Sequence, residues 1–283
     1  MKNALTVDLE DYYHVSAFSS SNVPDDWGSR QSRVEQNTHL LLDWLDEARC
    51  RATFFTLAWV AKYYPQLVRQ VSERGHEVAC HSLRHRSVYR MTPQEFREDT
   101  QQAKQLLEDS SGAPVYGYRA PSFSITQESL WALDILVELG FRFDSSIFPV
   151  KHPSYGIPDA PRYPHRIRTS NGSIVEFPMT TLEFGGRRSP FGGGAYFRLL
   201  PYWFTRWGIH FLNRSENRSV CVYIHPWELD PEQPRMNGSL TAHIRHYTGL
   251  RGTPKKFRKL IHDFEFCPLG TLAAEVTPAE CQH

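Results

Sequence analysis

Two histidines four residues apart, His81 and His85, form the first pattern in this chain that could do chemistry. Imidazoles at that spacing share a face if the segment turns helically, and imidazole nitrogen suits zinc-type cations. A carboxylate would complete three protein ligands and leave a coordination position open, which separates a catalytic centre from a structural one. The acidic cluster Asp8-Leu9-Glu10-Asp11 can supply it, because carboxylates packed this closely repel one another unless a cation is near.

These residues must be held by elements, and short apolar runs alternating with amphipathic stretches predict an α/β protein with a parallel sheet. Strands are expected at residues 4–7, 51–57, 77–80, 115–118, 141–143, 174–177 and 219–224. Helices are expected at 40–48, 65–74, from the capping box Thr92-Pro93-Gln94-Glu95 to about Asp109, from Thr126 to Leu139, and at 199–213. Asp8, His81, Arg119, Asp144 and His225 each follow one of those strands. In parallel α/β barrels the C-terminal strand ends build the active site. Any one of the five could be a cap or a salt bridge, but five together point to chemistry. Pro149, Pro153, Pro158, Pro161 and Pro164 mark an irregular surface excursion, and the Gly-rich 184–194 segment reads as a mobile loop over a site. After Leu229 the chain turns polar and basic, and Phe257, Leu260, Ile261, Phe264 and Phe266 predict an extension packed onto the main body.

Composition narrows the function. Lys and Arg number 32 against 31 Asp and Glu, so a nucleic-acid partner is excluded as the leading idea. Aromatics reach 13% of 283 residues, and flat rings often line sugar grooves; Tyr12, Tyr13, Tyr196 and Trp227 are the candidates for such contacts, with core packing the alternative for each. No run approaches the roughly 20 apolar residues of a transmembrane helix, and the start is too soon acidic for a signal peptide. Five scattered cysteines without a C-x-x-C pair read as buried thiols in a reducing compartment. Cytoplasmic residence is the expectation, with export by an unrecognised route as the alternative.

Four segments carry a resemblance. Thr6-Val7-Asp8-Leu9-Glu10-Asp11, His81-Ser82-Leu83-Arg84-His85, Arg119-Ala120-Pro121-Ser122 and Ile224-His225-Pro226-Trp227 look, in this order, like the motifs of the NodB-homology polysaccharide deacetylases, carbohydrate esterase family four. The start of the chain, the segment from Phe143 to Ser146 and the C-terminal extension resemble a bacterial branch linked to exopolysaccharide gene clusters. The resemblance implies a distorted (β/α)7 barrel over residues 1–228 with an extension over 229–283. It also implies a divalent metal, zinc above all, and hydrolysis of N-acetyl groups on an amino-sugar polysaccharide or its lipid-linked precursor. By motif, Asp8 would be the general base, His81 and His85 metal ligands, Arg119 the partner of Asp8, and His225 the general acid. Where the family has adjacent aspartates this chain has Leu9 in the second place, so the third ligand falls to Glu10 or Asp11. Alternation along an extended chain puts Glu10 on the same face as Asp8 and favours Glu10, whereas a turn directly after Val7 would bring Asp11 instead. A backbone N–H near Ser122 would help to bind the oxyanion, and Asp144 would orient His225 or touch substrate. The competing readings are a metal-independent amidohydrolase of a small cyclic amide and a carbohydrate-binding relative without chemistry. Oligomeric state is left open.

Overall fold

The computed structural model describes residues 1–18, 24–276 and 281–282. In chain order its elements begin with β1 (Asn3–Leu9), α1 (Val34–Glu47), β2 (Thr53–Thr56), α2 (Ala58–Tyr63), α3 (Pro65–Glu73), β3 (Glu77–Cys80), α4 (Pro93–Ser111), β4 (Gly117–Tyr118), α5 (Trp131–Glu138) and β5 (Phe143–Asp144). They continue with β6 (His165–Thr169), β7 (Gly172–Glu176), β8 (Thr181–Phe184), β9 (Arg187–Pro190), α6 (Gly194–Leu199), α7 (Tyr202–Arg214) and β10 (Cys221–Ile224). The C-terminal part adds α8 (Leu240–Tyr247), α9 (Thr253–Asp263), β11 (Phe266–Cys267), α10 (Leu269–Ala273) and β12 (Cys281–Gln282).

One mixed sheet organises the chain in the order β10-β1-β2-β3-β4-β5-β7-β6-β12, with β11 added on β1. Its pairs are parallel except β6 with β7. Among the described residues the hydrogen-bonded path has two ends and does not close, so what is established is an α/β mixed sheet rather than a closed barrel. Every residue of β1 is buried, as expected for a parallel strand covered on both faces. Val7 lies between Phe54 of β2 and Ile224 of β10. That register brings the strand ends at Asp8, His81 and His225 together.

Local chemistry explains where the helices start. Thr92 and Glu95 close a reciprocal capping box with Pro93 at the first turn of α4, and Gly112 ends the helix in the left-handed conformation at φ 71°. α1 begins six residues earlier than the apolar periodicity suggests, because its cap comes from elsewhere in the chain. The carboxylate of Asp11 accepts from the Arg33 and Val34 amides at 2.8 and 3.1 Å. The expected helix at 199–213 starts later, as α7 at Tyr202, because Leu200 and Pro201 are extended; the short α6, which was not expected, precedes it and ends at Leu199.

The segment expected to be a mobile loop is in part a hairpin. Phe184 pairs with Arg187 across Gly185 and Gly186, both at positive φ, the geometry that lets two residues turn without splaying the strands. A few residues on, Gly193 and Gly194 lie so close to Tyr223 that a Cβ on either would fall within 2.6 Å of its ring or hydroxyl. The C-terminal extension is knit into the body. Phe257, Leu260 and Ile261 are buried in the main core, Phe264 and Phe266 pack half-buried against it, and β11 joins β1.

Candidate active site

Past the ends of β1, β3 and β10, a cavity of about 730 Å³ is lined by Asp8, Glu10, His81, His85, Ser122, Tyr196, His225 and Trp227, among others. One ligand atom each from Glu10, His81 and His85 lies within 4.8 Å of the others. His81 follows directly on β3, and its Nδ1 donates to the Arg119 carbonyl at 2.8 Å. That bond fixes the tautomer and leaves Nε2 with a free lone pair. Burial lowers the pKa of His81 to about 4, against the raising effect of Asp8, so the ring is neutral. Burial also opposes the charge of Glu10, but His85 and then His225 and His81 outweigh it and hold its pKa below the usual range. Glu10 Oε2 is buried without a hydrogen-bond partner although His85 Nε2 is 3.0 Å away. Two imidazoles and a carboxylate with an orphaned oxygen fit a divalent cation of the zinc type.

The two histidines do not meet on a helix. The segment is a turn in which Ser82 and His85 take positive φ of 67° and 53°, and their ring centroids end 5.4 Å apart. Ser122 and Phe123, behind Arg119, are also left-handed at 54° each. Non-glycine residues in that region cost roughly 1–2 kcal/mol apiece, and such strain clusters at functional sites.

Arg119 is completely buried and holds Asp8. Its Nη1 donates to Asp8 Oδ1 at 2.7 Å and to Thr6 Oγ1 at 2.8 Å, while Nε and Nη2 reach the carbonyl and hydroxyl of Ser145. The ring of Phe55 lies 4.1 Å below the guanidinium. His225 stands beyond Asp8, its Nε2 3.8 Å from Asp8 Oδ2 and 3.6 Å from Glu10 Oε1. Its Nδ1 meets Glu228 Oε2 at 3.0 Å. Burial works against the charge of this imidazole, but Glu228 first, then Glu10 and Asp8, raise its pKa to about 9. Glu228 is in turn gripped by Arg198 Nε at 2.6 Å.

Some expected residues lie elsewhere. Asp11 is not in the cluster: besides the two amides of α1, it accepts from the Tyr12 amide and the Ser32 hydroxyl. Tyr12 donates to the Gln31 carbonyl, and Tyr13 packs edge-on against Tyr12 and Trp59, so both aromatics belong to the core rather than to the cavity wall. Asp144 sits at a strand end but turns into the interior, bonded to the Ser146 hydroxyl and to the carboxyl of Glu176, whose pKa burial pushes up. The residue beside His225 is Glu228, which the sequence reading missed. The His225-Pro226-Trp227-Glu228 spacing was the available signal, since it is that of a cap three residues ahead. Trp227 lines the cavity with its ring stacked on His225 and on His246. Tyr196 and Ser122 line the cavity too, and the Ser122 hydroxyl is 2.8 Å from that of Ser16.

Residues 25–143 match the family model described as Polysaccharide deacetylase, and residues 145–274 match one described as a domain of unknown function, DUF3473. A peptidoglycan-N-acetylglucosamine deacetylase of Bacillus cereus is 26% identical over 98 residues, covering 34% of this chain and 36% of its own. A chitooligosaccharide deacetylase of a Bradyrhizobium strain is 27% identical over 96 residues, 34% of this chain and 42% of its own. The chain thus spans about two-fifths of the length of these curated relatives. Among solved structures, a Mycobacterium smegmatis protein assigned as a polysaccharide deacetylase superposes with a TM-score of 0.65 at 18% identity, covering 99% of this chain and 92% of that one, a likeness of fold.

Proposed function

We propose that this chain, which carries a polysaccharide deacetylase domain continued by a DUF3473 region, is a metal-dependent hydrolase that removes N-acetyl groups from an amino-sugar polysaccharide and releases acetate. The observation that carries the reading is the convergence of two histidine environments on one cavity. His81 and His85 stand beside Glu10 with their ligand atoms close together, and His225 lies 3.8 Å from Asp8 with Glu228 on its other nitrogen.

Glu10, His81 and His85 would hold a divalent cation, which would supply Lewis-acid polarisation of an amide carbonyl and acidify a water. Asp8, oriented by Arg119, takes the proton of the water that adds to the acetyl carbon. His225, held by Glu228, gives its proton to the sugar nitrogen as the C–N bond breaks, and the bonding pair stays on that nitrogen. The products are acetate and a free amine. Backbone near Ser122 faces the developing oxyanion, and Tyr196 and Trp227 supply apolar contact to the sugar. Zinc is the preferred cation, because a three-ligand site of imidazole and carboxylate is a donor set it takes in catalytic centres.

The reading extends to organisation. Residues 1–228 form the catalytic unit, an opened form of a seven-stranded α/β barrel, and 229–283 brace it. The four described cysteine thiols are free and buried, which favours a reducing compartment, and a lipid-linked precursor would present the glycan there.

Acetate release from N-acetylglucosamine oligomers tests the core of the reading. The chain should release acetate, a chelator should stop the release, and added zinc should restore it. Asp8→Asn should abolish turnover while the cation stays bound. Release that survives chelation would move the protein to a metal-independent amidohydrolase, and full activity of Asp8→Asn would remove the base assignment.

A further inference from the structure

The mouth of the cavity carries a charge pattern that amide hydrolysis does not need. Of the ionisable groups lining the cavity, the carboxylates are deep and answered. Asp8 is bound by Arg119, Glu10 lies against His85, and Glu228 lies between Arg198 and His225. The remaining arginines are Arg84, Arg86, Arg90 and Arg245. Arg86 pairs with Glu95 at 3.1 Å. Arg84, Arg90 and Arg245 make no ion pair among the described residues, and all three are exposed.

Their origin argues against an accidental surface scatter. Arg84 and Arg90 stand on the segment between β3 and α4, whose path is set by the left-handed Ser82 and His85. Arg245 comes from α8, more than 150 residues later in the chain, and α8 is tied to the site because Arg198 donates to the carbonyls of Arg245 and His246 at 2.9 and 2.5 Å. The whole chain has a net charge of only +1, so this concentration is local. Aromatic rings lie among the arginines. Tyr89 precedes Arg90, and His152 stacks on Tyr155 at 3.7 Å in the part of the wall where Arg245 acts on His152. Planar guanidinium groups recognise carboxylate and phosphate oxygens in a fork, and a cleft walled by one sign of charge concentrates the opposite sign.

We propose that the outer cavity binds the negative charge of an acidic amino-sugar glycan, either a sugar-acid carboxylate or a phosphate of a glycosyl phosphate, next to the sugar that is deacetylated. The inference rests on the deacetylase reading for the neighbouring sugar, but anion binding can be measured apart from turnover. Three probes separate the cases: neutral N-acetylglucosamine tetramer, a hyaluronan tetrasaccharide carrying carboxylates, and uridine diphosphate N-acetylglucosamine carrying phosphates. Binding is measured by calorimetry on Asp8→Asn, and acetate release on the unaltered chain, each at low and high salt.

One charged probe should bind about tenfold more tightly than the neutral tetramer at low salt, and high salt should erase the difference. Preference for hyaluronan assigns the carboxylate, and preference for the nucleotide sugar assigns the phosphate. Combining Arg84→Gln, Arg90→Gln and Arg245→Gln should remove the preference, and the salt series on Asp8→Asn alone gives the same answer with every arginine in place. Should no probe release acetate while a charged one still binds in a salt-dependent, arginine-dependent way, the deacetylase reading falls and the anion site stands. Equal binding of all three probes at every salt concentration overturns the inference, whatever the turnover.

Discussion

His81 and His225 line the same cavity, and burial opposes a positive charge on both, yet they end in different protonation states. The difference lies in their hydrogen-bond partners. His81 spends its Nδ1 proton on a carbonyl, Arg119 O, and has no carboxylate hydrogen-bonded to it; burial, helped by His85, outweighs the raising effect of Asp8 and Glu10, so the ring is neutral. His225 has a carboxylate, Glu228, on one nitrogen and two more, Asp8 and Glu10, within 4 Å of the other, so attraction outweighs burial. One residue type thus stands neutral on one wall and charged on the other. The partner group, rather than the degree of burial, decides the charge.

The largest expected effect comes from the neutral wall. His81→Ala should lose the bound cation, measured by metal analysis, and lower turnover by about three orders of magnitude or more. Retention of a full equivalent of cation would break the division between the walls. On the charged wall His225→Asn should lower turnover by roughly 10²–10⁴-fold with the cation still bound. Loss of the cation in that variant would mean that the two walls act as one.

A smaller change should follow from Glu228→Gln, which keeps the hydrogen bond and removes the charge. The imidazole of His225 then loses its principal support, and its pKa falls from about 9 towards the ordinary value. Proton magnetic resonance of the metal-free protein should show that shift directly. Because the proton is lost sooner as pH rises, the deficit in turnover should widen above neutrality, to about tenfold. A pH profile unchanged from the parent would remove Glu228 as the positioning group.

The mildest effect on chemistry should come from Asp11→Ala, the residue next to Glu10 in the chain. It leaves the buried amides of Tyr12 and Val34 and the part-buried amide of Arg33 without their acceptor, so stability should drop by about 3 kcal/mol, read in thermal unfolding, while cation binding persists in the folded fraction. A loss of cation affinity without a loss of stability would reassign the two carboxylates.

Much of the site was legible because a parallel sheet delivers its C-terminal strand ends to one side, and Asp8, His81, Arg119 and His225 were each expected at such an end. Asp144 shows the limit of that rule: it also ends a strand, but its carboxylate lies opposite Glu176 on β7 and the two carboxyls satisfy each other in the interior. Position along a strand leaves the facing direction undetermined when the strand is two residues long. Helix α1 was placed too late for a related reason, since its cap is a carboxylate 22 residues upstream. Arg198 and Arg245 carried no readable signal at all. Their relation to the cavity depends on how α6 and α8 pack, and no local pattern encodes that contact. The hairpin of β8 and β9 was within reach, because Gly185-Gly186 between two pairing segments is a turn signature.

The left-handed residues Ser82, His85, Ser122 and Phe123 bear on how this protein can be engineered. Glycine at Ser122 would relieve local strain of about 1 kcal/mol at the cost only of an exposed hydroxyl contact with Ser16, whereas at Ser82 it would also unpair the His85 amide, so a screen for heat resistance is expected to favour changes at Ser122. The same changes would slacken the backbone behind Arg119. Selection for thermal tolerance alone should therefore enrich sturdier molecules with poorer catalysis, and a useful screen would have to score both traits together.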